Sequence, residues 1–228
     1  MGKGVQRSAL LAALSLLACA RAAELQVRGP QDGGFNTRVT SVREARFTTT
    51  LRQQYDFSCG SAALATLLTY HYGKPVTERD VFAYMYEHGE REKIRKQGFS
   101  MLDMKHYLAA NGFQADGFEL PVERLATERV PAIVLLSERG YKHFVVVKGF
   151  ANGRVLIGDP SMGTRAISLQ RFRRLWVNHI LFAIYNRRDE ASFNLASDWR
   201  VAPGAPLDLA IDRQRWMDSL PVRRAGAF

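Results

Sequence analysis

Cysteine is nearly missing from this chain. There are two in 228 residues, and one of them, Cys19, falls in the apolar stretch near the N-terminus. A disulfide framework is therefore excluded. Thiolate metal centres go with it, because the five histidines are scattered without ligand spacing to a cysteine. No metal and no cofactor is expected. Long apolar runs are also lacking: the longest, residues 9–18, is too short to cross a bilayer, so no transmembrane span is expected in the mature chain. The 32 Lys and Arg outnumber the 22 Asp and Glu, for a formal net charge of +10. The basic residues in KIRKQ, QRFRRLW, NRRDE and PVRR are not interleaved with stacking aromatics in the way of a single-strand binder, so nucleic acid is not an expected partner. They read as a solvated basic surface, or as a contact for acidic lipid, polysaccharide or a protein. Repeats and low-complexity blocks are absent too.

Lys3 and Arg7 precede the short apolar run, which ends in the small-residue pattern Ala20-Arg21-Ala22. This predicts a Sec-type signal peptide over residues 1–22, cleaved after Ala22, and a periplasmic mature protein. The competing reading, a lipoprotein anchored through Cys19, fits poorly because the bulky Leu17 stands where a small residue is favoured. Removing Lys3, Arg7 and Arg21 leaves 32 − 3 = 29 basic residues against 22 acidic ones, a net charge of +7. The remaining length suits one domain with an adequate core.

A lone cysteine in an oxidising compartment is either a core residue or a thiol kept for its chemistry. Around Cys59, the sequence RQQYDFSCGSAALATLL moves from a polar segment into small residues (Gly60, Ser61, Ala62, Ala63, Ala65) and then Leu64, Leu67 and Leu68 at helical spacing. The spacing predicts a helix over 60–72, stopped by Gly73 and Pro75. Cys59 then sits at a helix N-terminus, where N–H groups and the helix dipole favour a thiolate. Thr77 caps a second helix through His88. Ser100 and Asp103 form a capping box for a third, SMLDMKHYLAANG, and PVERLATE is a short fourth. From Pro131 the period changes to strands: PAIVLLS, HFVVVKGF, RVLIGDP, TRAIS and HILFAIY, with turns at Arg139-Gly140 and Asn152-Gly153 and a short basic helix, QRFRRLW. Helices followed by an antiparallel sheet predict an α+β fold. Residues 23–49 read as a lead-in arm that pairs or packs at an edge. Residues 186–228 read as an extension whose amphipathic piece, LDLAIDRQRWMDSL, is either a packed helix or a docking segment.

Gln53, Cys59, His143 and Asp159 are residue types that can make a cysteine protease site. The ordered motifs QQYDFSCGSAALATLL, GFSMLDMKHYLAANGF, YKHFVVVKGF and GDPSMGT resemble those of the C39 peptidases over residues 50–185. The resemblance implies a papain-like fold in which a central helix carries the nucleophile and packs on an antiparallel sheet. It also implies a thiol endopeptidase with Cys59 as nucleophile, His143 as base, Asp159 orienting the imidazole, and Gln53 with the Cys59 N–H as oxyanion donors. Relatives fused to transporters carry Asp before the cysteine, where this chain has Ser58. The exported, stand-alone members, including those of functional amyloid export, fit better. They imply processing of, or assistance to, a secreted or fibre-forming polypeptide, with a secretion apparatus as a further partner. The rival reading is a C39-like chaperone or adaptor that binds a polypeptide without cutting it. His71, His88, His106 and His179 read as structural. With a two-residue turn at Asn152-Gly153, residue 151 pairs with 154 and His143 falls opposite about 162, so a bend at Gly158-Asp159-Pro160 is needed to bring Asp159 back to it.

Overall fold

The computed structural model of the protein describes the backbone of residues 23–28 and 34–204, with side chains from residue 40 onward. The expected signal peptide and the amphipathic piece of the C-terminal extension lie outside the described residues. The chain divides into two units, residues 1–41 and 42–228. In the first, β1 (Ala23–Arg28) and β2 (Gly34–Val39) pair antiparallel with each other.

The second unit opens with a single turn, α1 (Val42–Ala45), and an extended lead-in to α2 (Cys59–His71). This helix begins at the cysteine itself. Ala62, Ala63, Leu64, Ala65, Leu67 and Leu68 are all fully buried, so α2 is a core helix covered nearly all round rather than an amphipathic surface helix. Next comes α3 (Glu78–His88), where the Thr77 hydroxyl accepts the Asp80 N–H at 3.1 Å. The short α4 (Arg91–Gln97) follows and stops at Gly98, whose φ is 77°. The sequence gives α4 no period to read, since Ile94 is its one apolar residue; burial of Ile94 against α3 and α5 holds it. In α5 (Met101–Ala110) both halves of the expected capping box are made.

The remaining elements are β3 (Ala115–Glu119), α6 (Glu123–Glu128), β4 (Ala132–Glu138), β5 (Tyr141–Ala151), β6 (Arg154–Asp159), β7 (Gly163–Ser168), α7 (Leu169–Leu175), β8 (Ile180–Ile184), a 3₁₀ turn (Arg188–Glu190) and a final turn, α8 (Ala196–Trp199). They form a six-stranded antiparallel sheet in the order β3-β8-β4-β5-β6-β7. Strand β3 was not expected from the sequence. It is an edge strand that buries only Ala115 fully, so its ADGFE sequence lacks the apolar alternation that marks a strand.

Period-2 alternation gives the sheet two apolar faces. Ile133, Phe144, Val146, Phe182 and Ile184 pack against α2, α3 and α5. Val134, Leu136, Val145, Val147, Val155, Ile157 and Ile167 pack with Leu125 of α6 and Phe172 and Trp176 around α7. The α+β architecture, with the central helix laid on an antiparallel sheet, is as the sequence predicts.

The close approach of the start of α2 to Phe99, just ahead of α5, favours a glycine directly after the cysteine. A Cβ at Gly60 would stand 3.0 Å from the Phe99 Cβ, 3.4 Å from the Met104 Cε and 3.6 Å from a Phe144 ring carbon. Overpacking of this kind costs about 1–3 kcal/mol. Gly60→Ala is therefore expected to lower unfolding stability by that amount in a urea titration, and an unchanged midpoint would show that the helix start is looser than described.

Candidate active site

Cys59 begins α2 and is 8% exposed. Its sulfur lies against the backbone N–H groups of Gly60 and of Cys59 itself in the first helical turn, and against that of Phe144 on β5. The helix start is thus brought to the residue next to His143. Ser58, at the N-cap, makes no cap bond to the helix. Instead its hydroxyl accepts the Tyr55 N–H at 3.1 Å and donates to the Tyr55 carbonyl at 3.0 Å, closing the turn that delivers the cysteine.

His143 and Asp159 are hydrogen-bonded, with Nε2 to Oδ2 at 3.2 Å. Both are buried, His143 at 4% exposure and Asp159 at 0%. Burial alone would raise the Asp159 carboxyl, but hydrogen bonds from His143 and Ser161 and the charge of Arg165 outweigh it and hold Asp159 well below the usual carboxylate range. An ionised carboxylate only accepts, so the proton between them sits on His143 Nε2 and the neutral ring keeps Nδ1 as its acceptor nitrogen. Nδ1 is buried and has no hydrogen-bond partner. The arrangement can thus take a proton at Nδ1 while Nε2 remains fixed.

The pairing of β5 with β6 differs from a plain two-residue hairpin. The ladder begins as expected at Ala151↔Arg154, but a bulge at Lys148 shifts it to Val147↔Ile157 and Val146↔Gly158. Asp159 therefore comes opposite residue 145, on the same face as His143 and one diagonal step away. No bend after β6 is needed, because the bulge does what the sequence reading assigned to Gly158-Asp159-Pro160.

Gln53 is tied to the same loop, its backbone N–H donating to the Pro160 carbonyl at 3.1 Å. Its side-chain Nε2 donates to the Tyr55 carbonyl at 3.0 Å and makes a longer contact with that of Asp56 at 3.5 Å. At rest the amide braces the loop ahead of Cys59, and the N–H on the long contact is the one open to recruitment. Gln54 is exposed.

Several neighbours escaped the sequence reading. Ser161 donates its N–H at 2.9 Å and its hydroxyl at 2.7 Å to Asp159 Oδ1, and Met162 N–H adds a third bond at 3.2 Å. Arg165 donates to Asp159 Oδ2 from Nε at 3.2 Å and from its terminal nitrogen at 2.9 Å, and also reaches Glu138 at 2.9 Å. Glu138 in turn pairs with Arg171. The Tyr141 ring lies nearly parallel to the His143 ring at 5.4 Å, and its hydroxyl donates to the Asp56 carbonyl at 3.0 Å. Tyr141 was findable, being two residues before His143 on the same strand face; Arg165 stands one diagonal step from Asp159 across the regular β6–β7 ladder.

The peptidase C39 family matches residues 48–187. The chain belongs to the peptidase C39 family. It is 44% identical over 155 residues to a Pseudomonas aeruginosa protein named as a probable functional amyloid protease, FapD, covering 68% of each chain. A Pseudomonas fluorescens protein of the same name is 44% identical over 147 residues, covering 64% of this chain and 65% of that one. Among solved structures, the peptidase domain of Streptococcus ComA, a bifunctional ABC transporter involved in a quorum-sensing pathway, superposes with a TM-score of 0.50. The match has 20% identity and covers 60% of this chain and 96% of that domain. The likeness shows the papain-like C39 fold.

The ionisation expected of Cys59 is not met at rest. Burial pushes the thiol above its ordinary range, the nearby N–H groups offset this only in part, and the charge of Asp159 adds to it. The helix dipole is thus outweighed by desolvation. Titrating the thiolate absorbance of wild type minus Cys59→Ser is expected to give a step above about pH 8.5, the range of a free thiol. A step below neutrality would show instead a preformed thiolate.

Proposed function

We propose that the protein is an exported cysteine endopeptidase of the C39 type that processes a secreted, fibre-forming polypeptide or assists its export, acting in the periplasm after removal of residues 1–22. The observation that carries the catalytic reading is the fixed His143 tautomer: an imidazole held at Nε2 by an ionised carboxylate, with a bare, buried Nδ1 beside the strand that touches the thiol. The names of the two Pseudomonas relatives supply the class of client.

In this reading Cys59 is the nucleophile. Its proton passes to His143 Nδ1 as the sulfur attacks the scissile carbonyl carbon, and the carbonyl π pair moves onto oxygen. Gln53 Nε2–H, leaving its long contact with Asp56, and the Cys59 N–H donate to that oxyanion, each worth on the order of 3 kcal/mol. The protonated imidazole then gives its proton to the leaving amine as the C–N bond breaks. Water, deprotonated by the same Nδ1, hydrolyses the thioester. Asp159 keeps Nε2 protonated and the ring oriented throughout. Because the thiol is protonated at rest, proton transfer accompanies attack rather than preceding it.

One observation favours the rival, a C39-like adaptor that binds without cutting: Cys59 is nearly covered and its ionisation is opposed. The two readings separate in a complementation assay. Cys59→Ser removes little volume and most nucleophilicity, so it is expected to fold, to retain client binding, and to lose client processing together with the dependent export. Full complementation by Cys59→Ser at wild-type protein levels would overturn the peptidase reading.

A further inference from the structure

The family match ends at residue 187, yet the described chain continues to residue 204 and turns back under the sheet. Ser192 donates its N–H to the carbonyl of His71, the last residue of α2, at 2.7 Å, and its own carbonyl lies 2.6 Å from His71 Nδ1. A carbonyl only accepts, so the His71 ring donates here. It stays neutral, lowered to about 4 first by burial and then by the charge of Lys148. Phe193 is buried in the apolar core on the far face of the sheet. Asn194 then donates its N–H to the Lys148 carbonyl at 2.8 Å, which the bulge leaves out of the β5–β6 ladder. The Trp199 indole donates to the Asn194 side chain at 2.8 Å. That side chain packs so close that a Cβ at Gly149 would stand 2.3 Å from its oxygen.

Lys148 itself has no exposed surface, and its ammonium is satisfied by this segment and the lead-in: Asp198 at 3.1 Å, and the Thr49 carbonyl and hydroxyl at 2.8 Å each. Thr49 also donates to the other Asp198 oxygen at 2.6 Å. Burying such a pair is costly, and two apolar side chains would fill the space as well. What an ion pair adds is a requirement for one geometry. Here that geometry is the bulge, because only a Lys148 excluded from the ladder points its side chain and carbonyl at Asp198 and Asn194.

The bulge decides the face on which Asp159 lies. Continued without it, the ladder that starts at 151↔154 would run 147↔158 and 146↔159, setting Asp159 across from Val146, on the opposite face of the pair from His143. With Lys148 left out, Asp159 comes opposite 145 and reaches His143 at 3.2 Å. We infer that residues 192–198 form a positioning strap for the His143–Asp159 pair, with Lys148 and Asp198 as positioning residues that hold the bulge and thereby the register of the site. This rests on the peptidase reading for its consequence, but not for its geometry.

The test is made on the full mature chain and reads the low-field proton resonance of the His143 Nε2–H bonded to Asp159, assigned by its loss in His143→Gln. The resonance reports the pair whether or not the protein cuts anything. Lys148→Met/Asp198→Leu, which replaces the pair with apolar side chains, is expected to lose the resonance and to reduce client processing at least tenfold, while its circular dichroism stays native. Deleting Lys148 in the Asp198→Leu background is expected to restore the resonance: a deletion makes the ladder regular with Val147↔Ile157 already in place, and β4 pairs only as far as Val147, so it is undisturbed. A merely structural role predicts the opposite, since deletion would add damage to damage. Retention of the resonance in Lys148→Met/Asp198→Leu would overturn the inference. If that variant does not fold, the deletion variant decides alone: folded with the resonance supports the strap, and unfolded or silent refutes it. Failure of the peptidase reading appears separately, as a wild type that carries the resonance but processes no client.

Discussion

A carboxylate with no exposed surface must have every lone pair answered, and Asp159 organises its surroundings for that reason. Oδ1 takes three bonds from the turn that follows it, two from Ser161 and one from Met162, so the loop closes on the residue that begins it. Oδ2 is shared by His143 and Arg165. Arg165 passes the constraint to Glu138, at the end of β4, and Glu138 passes it to Arg171 of α7. Four strands, β4 to β7, and the helix α7 are thereby tied together around one anion. The four members carry charges that sum to zero, two acids against two guanidinium groups. Arg165 offsets part of the negative field that Asp159 would otherwise place on the imidazole, while leaving the Nε2 bond intact.

How much of this could be read from sequence follows the range of the forces involved. Local chemistry was legible. Leu64, Leu67 and Leu68 with Gly73 marked α2 to within one residue, Ser100 and Asp103 marked the start of α5, and Asn152-Gly153 marked the β5–β6 hairpin. The ordered motifs pointed to the family and its fold. What escaped was set by partners far along the chain. The ADGFE segment becomes a strand only because β8, more than sixty residues away, presents an open edge. Ile94 alone commits α4 to the core. The one local signal of the bulge was Gly149, an isolated glycine inside an apolar strand; its other cause, Asp198, lies far along the chain, and a lysine in an apolar strand reads as a solvent-facing residue until its buried partner is known. Read without the bulge, the register runs one residue off beyond Gly149, and a bend at Gly158-Asp159-Pro160 had to be invoked to bring Asp159 back to His143.

The thiol is a second case in which a local rule was right in sign and lost on magnitude. The N–H groups of the first turn do favour an anion at Cys59, and so does the added N–H of Phe144. Yet α2 is buried nearly all round so that its start can be held against β5. The same packing that brings the sulfur beside the histidine strand removes the water that would stabilise a thiolate. Precision of placement and ease of ionisation are opposed here, and the structure takes placement.

That trade is consistent with Ser58. An aspartate directly before the cysteine would put a second negative charge at a buried turn, beside a thiol whose ionisation Asp159 already opposes. The neutral hydroxyl satisfies both backbone groups of Tyr55 and adds no charge. Ser61, in the first turn of α2, donates to Glu78 at 3.0 Å. On the histidine, Nδ1 is buried and has no hydrogen-bond partner among the described residues. What the frame around His143 and Asp159 holds is the alignment of β5 with β6.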